Sequence, residues 1–196
     1  QVYGRVIMVS SKYLVRISEK MKFFNSTQKD MDIVTVAKMI KNFIEQNPNQ
    51  NYRLAVGTDS QVRGNCTCFA TGIHIHRIGQ GAWCCVHKRV ENRRYTNLRE
   101  KISRETVITY EILSLLNDLL IDTLCACAGN YKNFDCKIEA HIDIGTRGET
   151  RKLIREMVGY FEGMGVDAKI KPESFVASSY ANRCSKNFKA DDRKAV

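Results

Sequence analysis

The sequence predicts an α/β chain built on one mixed β-sheet with helices on its faces, in the order β-β-β-α-β-α-β-α behind an extra N-terminal helix. Three observations carry this. Three consecutive strand-like runs between Tyr52 and Val90 are bounded by Gly, Asn and Arg clusters, which reads as an antiparallel meander. A long helical pattern follows from Leu98 to Cys125. Beyond it, strand-like and helix-like segments alternate, as they do where helices cover a sheet.

The leading helix is expected over Met31–Gln46, where Ile33, Val34, Val36, Ala37, Ile40, Phe43 and Ile44 recur at helical spacing. Asp30 or Asp32 caps its start, and Asn47-Pro48-Asn49 stops it. The first strand is the short run Tyr52–Val56, ending at Gly57-Thr58-Asp59-Ser60. Thr67–Arg77 alternates around Phe69, Thr71, Ile73 and Ile75. After a turn at Gly79–Gly81, Ala82–Val90 forms the third strand. In the long helix Ile102, Val107, Ile108, Ile112, Leu115, Leu116, Leu119 and Leu120 make the apolar face, and Gly129 and Asn130 end it. Phe134–Ile144 is the fourth strand, with a buried centre. A capping box from Thr146 to Glu149 opens the helix Arg151–Gly163. Val166–Ile170 is a fifth strand halted by Pro172, and Ser178–Lys186 a short last helix.

A chain of 196 residues is expected to form one domain. That domain is assigned to residues 21–187, with residues 1–20 an upstream extension and 188–196 a flexible tail. Lys and Arg number 31 against 21 Asp and Glu, a net charge of +10. The balance favours a polyanionic partner, although it also serves solubility. The eight cysteines are read as thiols. Cys66 and Cys68, and Cys125 and Cys127, are one residue apart and Cys84 and Cys85 are adjacent, where structural zinc needs two to four intervening residues. Reduced cysteines in apolar runs fit a cytoplasmic protein. No run of about 18 apolar residues suggests a membrane span.

The groups that can do chemistry lie at element ends. Asp59 closes the first strand or sits just beyond it, Asp143 lies near the end of the fourth, and Glu105 is in the first two turns of the long helix. If the first and fourth strands pair in parallel through the long crossover, Asp59 and Asp143 stand side by side and the helix brings in Glu105. Three such carboxylates repel unless a cation joins them, and hard oxygen ligands suit Mg²⁺ or Mn²⁺. Two ions about 3.5–4 Å apart activate a water and stabilise the leaving oxygen of a phosphodiester. Each residue also has a plainer reading. Gly-Thr-Asp-Ser is a turn-forming string, Asp143 can simply end a strand, and Glu111 competes with Glu105. His141 shares a strand face with Asp143 and either helps at the site or is a satisfied core histidine. His74 and His76 are read as structural. Ser60, beside Asp59, is a further auxiliary candidate. Lys88, Arg89, Arg93, Arg94, Arg99, Lys101 and Arg104 gather between the third strand and the long helix. That segment is either a phosphate-neutralising rim or an ordinary solvated face.

GTDSQ, HIDIG, REMVGYFEGMGVDAKIKPESFVASSYANR and GAWCCVHKRV together resemble the YkuK-like family of bacterial proteins, over about Phe24–Lys186. The resemblance implies a ribonuclease H-like fold. By it, Asp59 looks like the first-strand aspartate, Asp143 the fourth-strand aspartate and Glu105 the helix glutamate of a Mg²⁺ or Mn²⁺ site. Asn182 stands where that superfamily usually carries an acidic or histidine ligand, and an amide is a neutral, weaker one. Asp191 and Asp192 serve instead only if the tail folds back. The function expected is a metal-dependent nuclease acting on RNA, RNA–DNA hybrid or structured DNA. The alternative is a non-catalytic nucleic-acid-binding module.

Overall fold

The computed structural model describes residues 21–146, 149–176 and 178–179. A short strand not foreseen from the sequence, β1 (Phe23–Phe24), comes first. Two residues carry no periodic signal, and pairing with a later strand is what defines them. Helix α1 (Ile33–Glu45) follows. Its cap is Asp32, whose carboxylate accepts the Thr35 N–H at 2.7 Å. Asp30, the other cap candidate, instead takes a left-handed conformation with φ 56°.

The meander is confirmed as β2 (Asn51–Arg63), β3 (Cys66–Arg77) and β4 (Ala82–Glu91). β2 is more than twice the predicted length, because Gly57-Thr58-Asp59-Ser60 does not turn. It stays in the ladder, with Gly57 opposite Gly72, Asp59 opposite Ala70 and Ser60 opposite Phe69. The chain reverses only at Gly64, whose φ of 56° suits glycine. A turn-forming string remains extended where a complementary strand continues beside it.

Helix α2 (Leu98–Asn130) starts at Asn97, which accepts the Glu100 N–H at 3.2 Å. It runs through Gly129 and Asn130, which were expected to stop it, and its C-cap is Tyr131. α2 is long and apolar enough, by length and composition alone, to cross a membrane, with mean hydropathy 1.6 in its most apolar window. Ile108, Ile112, Leu116 and Leu120 nevertheless point into the core, and the core helix of a sheet protein meets the same criterion. β5 (Asp135–His141), a 3₁₀ turn (Glu149–Leu153), α3 (Ile154–Glu162) and β6 (Asp167–Lys169) complete the described elements. The capping box proposed for α3 lies partly outside the described residues. α3 itself follows the 3₁₀ turn, with no side-chain bond at Leu153. The last predicted helix lies outside the described residues beyond Ser179, as do the extension assigned to 1–20 and the tail.

The six strands order as β1-β4-β3-β2-β5-β6. β2 and β5 are parallel, as predicted, from Asn51 beside Asp135 to Gly57 beside His141. β5 and β6 are parallel too, and the meander and β1 are antiparallel, so the sheet is mixed. Alternation assigns its two faces. Leu54 and Val56 of β2, with Ile73 and Ile75 of β3, join Ile40 of α1, Leu116 of α2 and Phe161 of α3 in one continuous core. On that face a chain of buried hydroxyls ties α2 to the sheet. Thr109 Oγ1 donates to Thr58 Oγ1 at 2.8 Å, and Thr58 meets Thr71 at 2.9 Å. This tie fixes where the start of α2 crosses β2.

Candidate functional site

Because Gly57 lies beside His141, Asp59 and Asp143, each two residues further on, leave neighbouring chains at the same level. Asp143 sits beyond the end of β5 rather than within it. Its segment is held by Ile142 N–H donating to Lys169 O and Lys171 N–H donating to Ile144 O, each at 2.9 Å. Ser60, next to Asp59, points to the opposite face by strand alternation and meets α2. Its hydroxyl donates to Glu105 Oε1 at 2.6 Å. Lys101, one helical turn before Glu105, brings its ammonium to 3.7 Å from the same oxygen.

The electrostatics couple the three acids. Burial pushes the Glu105 carboxyl up to about 7. Lys101 and the Ser60 hydroxyl oppose the rise, while Asp59 and Asp143 add to it. Asp59 is also raised, first by burial and then by Asp143, against the pull of Lys101 and Lys171. Glu105 thus feels the charge of both aspartates, and Asp59 that of Asp143. Lys171 Nζ lies 2.9 Å from Asp143 Oδ1. That buried oxygen nonetheless receives no aligned hydrogen bond.

Three carboxylates, a neighbouring hydroxyl and a buried Asp143 oxygen with no aligned hydrogen bond make a hard-oxygen set, and its chemistry fits a hard divalent cation. Among the described residues, however, no three acidic, histidine or cysteine side chains converge on one point. The reason is visible. Glu105 is drawn to Ser60 and Lys101 on the α2 face, and Asp143 is drawn to Lys171. Asn182, Asp191 and Asp192 lie outside the described residues.

His141 is fully engaged elsewhere. Its Nε2 is 3.1 Å from Glu139 Oε2, and Nδ1 accepts the N–H groups of Phe175 at 3.3 Å and Val176 at 3.2 Å. An accepting Nδ1 puts the proton on Nε2, donated to Glu139. Burial holds this ring below its ordinary pKa. Glu139 also meets Arg53 Nε at 3.3 Å. His74, whose pKa burial lowers to about 4, packs edge-on against Phe175 at 5.3 Å. Glu111, the rival of Glu105, faces Arg89 and Arg104 instead. It therefore belongs to a different charge group.

The basic segment is largely paired with acids. Arg89 and Arg104 bracket Glu91, Arg93 pairs with Glu100, and Arg99 meets Glu156 at 2.7 Å. Lys88 lies over the Phe24 ring, and Arg94 is exposed. Of the segment, Lys101 is the member that reaches the carboxylates. Lys171 has no counterpart in the sequence reading. It follows β6 and precedes a proline, so it reads as a strand terminator; only the pairing of β5 with β6 brings it to Asp143.

A family model described as "Ribonuclease H-like" matches residues 35–186, and the chain belongs to that ribonuclease H-like family, among its YkuK-like members. The particular similarity is to "Uncharacterized protein YkuK" of Bacillus subtilis (strain 168). The two are 39% identical over 174 residues, covering 87% of this chain and 100% of that relative. No solved structure gives a significant match.

Proposed function

We propose that this protein is a metal-dependent nuclease that hydrolyses phosphodiester bonds in RNA, RNA–DNA hybrid or structured DNA, using Mg²⁺ or Mn²⁺ held by Asp59, Glu105 and Asp143. The observation that carries the reading is the parallel register of β2 and β5, which leaves Asp59 and Asp143 at one level, with Ser60 beside Asp59 bonded to Glu105 at the start of α2. Membership of the ribonuclease H-like family supports nucleic acid as the partner class, and the net charge of +10 agrees with it.

A bound divalent ion supplies Lewis-acid charge at a phosphoryl oxygen and lowers the pKa of a ligated water. The chain's own residues do the rest. Asp59 and Asp143 stand at one level at the ends of their paired strands, and the Ser60 hydroxyl fixes Glu105 beside them. In the ion-free protein the Glu105 carboxyl sits at about 7, so a proton competes with a divalent ion for this ligand near neutral pH. Lys101 and Lys171 balance the negative charge.

The test is Mg²⁺ and Mn²⁺ binding by calorimetry on the parent and on Asp59→Asn, followed by cleavage assays on RNA, hybrid and branched DNA. Binding and cleavage lost in Asp59→Asn, with unchanged circular dichroism, support the proposal. An Asp59→Asn protein as active as the parent refutes it. A second reading, a non-catalytic nucleic-acid-binding module, draws on the lysine pairing of Glu105 and Asp143. It expects salt-sensitive nucleic-acid binding that is indifferent to EDTA.

A further inference from the structure

Two ammonium groups reach the carboxylate site from separate elements. Lys171 arrives from the segment after β6 and sits 2.9 Å from Asp143 Oδ1. Lys101 arrives from α2 and sits 3.7 Å from Glu105 Oε1. Both also act on Asp59, favouring its charged form. The candidate site therefore carries three carboxylates and two ammonium groups, one beside Glu105 and one beside Asp143.

Their attachment differs from that of a structural ion pair. The backbone N–H of Lys171 is fixed to Ile144 O, in the segment that presents Asp143, so lysine and aspartate stay registered. Its side chain, however, is 49% exposed, and that of Lys101 is 28% exposed. Long stems with wet heads change partners at little cost, and partly exposed ion pairs are weak. A divalent ion attracts the same carboxylates with twice the charge. Once displaced, each ammonium remains within a stem's length of the site, where the phosphates of a bound strand bring new negative charge.

We infer that Lys171 and Lys101 are exchangeable counter-ions: they neutralise Asp143 and Glu105 in the ion-free protein, and on displacement by a divalent ion they turn to the phosphates of a bound nucleic acid. This rests on the metal-dependent reading above and assigns the two lysines as positioning residues for the substrate backbone.

The test measures Mn²⁺ binding by calorimetry, and anisotropy of a labelled phosphorothioate oligonucleotide in Mn²⁺, on the parent, Lys171→Met and Lys171→Arg. Removing the competing charge should tighten Mn²⁺ binding about tenfold in the absence of nucleic acid, roughly 1.4 kcal/mol. The same variant should bind the oligonucleotide about three- to tenfold more weakly in Mn²⁺. The two changes have opposite signs, which a general loss of structure does not produce. Lys171→Arg should stay within about twofold of the parent for Mn²⁺, since a charge remains beside Asp143. If Lys171→Met fails to fold, Lys101→Met reads the same two quantities at Glu105. Equal or weaker Mn²⁺ binding by the methionine variant, or unchanged oligonucleotide affinity, overturns this inference and leaves the nuclease proposal standing. A parent that binds no Mn²⁺, with or without the oligonucleotide, overturns both.

Discussion

Glu105→Gln should stabilise the protein at alkaline pH and leave it nearly unchanged in mild acid. In the folded chain burial holds the Glu105 carboxyl at about 7, against 4.5 for the ordinary group. The folded state therefore keeps this proton to higher pH than the unfolded chain does. Below pH 4.5 both states are protonated, and the group carries no penalty. As pH rises from there through 7, the unfolded chain ionises freely while the folded chain must ionise a buried acid. At about 1.4 kcal/mol per pH unit the penalty reaches roughly 3 kcal/mol above pH 7. Glutamine mimics the protonated carboxyl and can still accept from Ser60 Oγ. Urea unfolding of both proteins from pH 5 to pH 8.5 should show the variant gaining on the parent by about 2–3 kcal/mol across that range. Taking the difference between the two proteins cancels every group that titrates alike in both. A gap that stays constant with pH refutes the buried, proton-holding Glu105.

Three further expectations test the frame around the site. Leu116 is fully buried in the shared core, so Leu116→Ala should cost about 3 kcal/mol and lower Tm by roughly 10 °C. Thr109→Val removes the donor to Thr58 Oγ1 and should cost about 1–2 kcal/mol in urea unfolding; no loss would show that the hydroxyl tie does not hold α2 on the sheet. His141→Ala removes the acceptor of the Phe175 and Val176 N–H groups. Hydrogen exchange at those two amides should then accelerate about tenfold or more, and unchanged rates would contradict the assigned tautomer.

The strands and helices were legible where periodicity was long and flanked by turn chemistry, as in α1, the meander and α2. The parallel pairing of β2 with β5 followed from element order, and it carried Asp59 and Asp143 to one level as expected. What failed was local reading of short strings. Gly57–Ser60 looked like a turn because its residue types favour turns, yet its ladder partners in β3 decide its conformation. Gly129 and Asn130 looked like a helix end, but the last turn of α2 still closes before Tyr131. The candidate acids Asp59, Glu105 and Asp143 are visible in the sequence as residues at element ends, and their lysine neighbours are not all so. Lys171 meets Asp143 only through a sheet contact with β6, and the Phe175 and Val176 N–H groups reach His141 only through similar long-range assembly. Sequence spacing holds no record of such contacts.

The register that aligns Asp59 with Asp143 also sets when they meet. The β2–β3 hairpin closes a short loop and can form early, whereas Asn51 finds Asp135 only after the whole of α2 lies between them. A nascent or partly unfolded chain therefore displays Asp59 alone, without its neighbour across the strand boundary. On the metal-dependent reading proposed above, a divalent ion would gain a shared binding place only once the parallel pairing is complete. Ion affinity on that reading is a reward for finished assembly, and a divalent ion would not guide the early steps of folding.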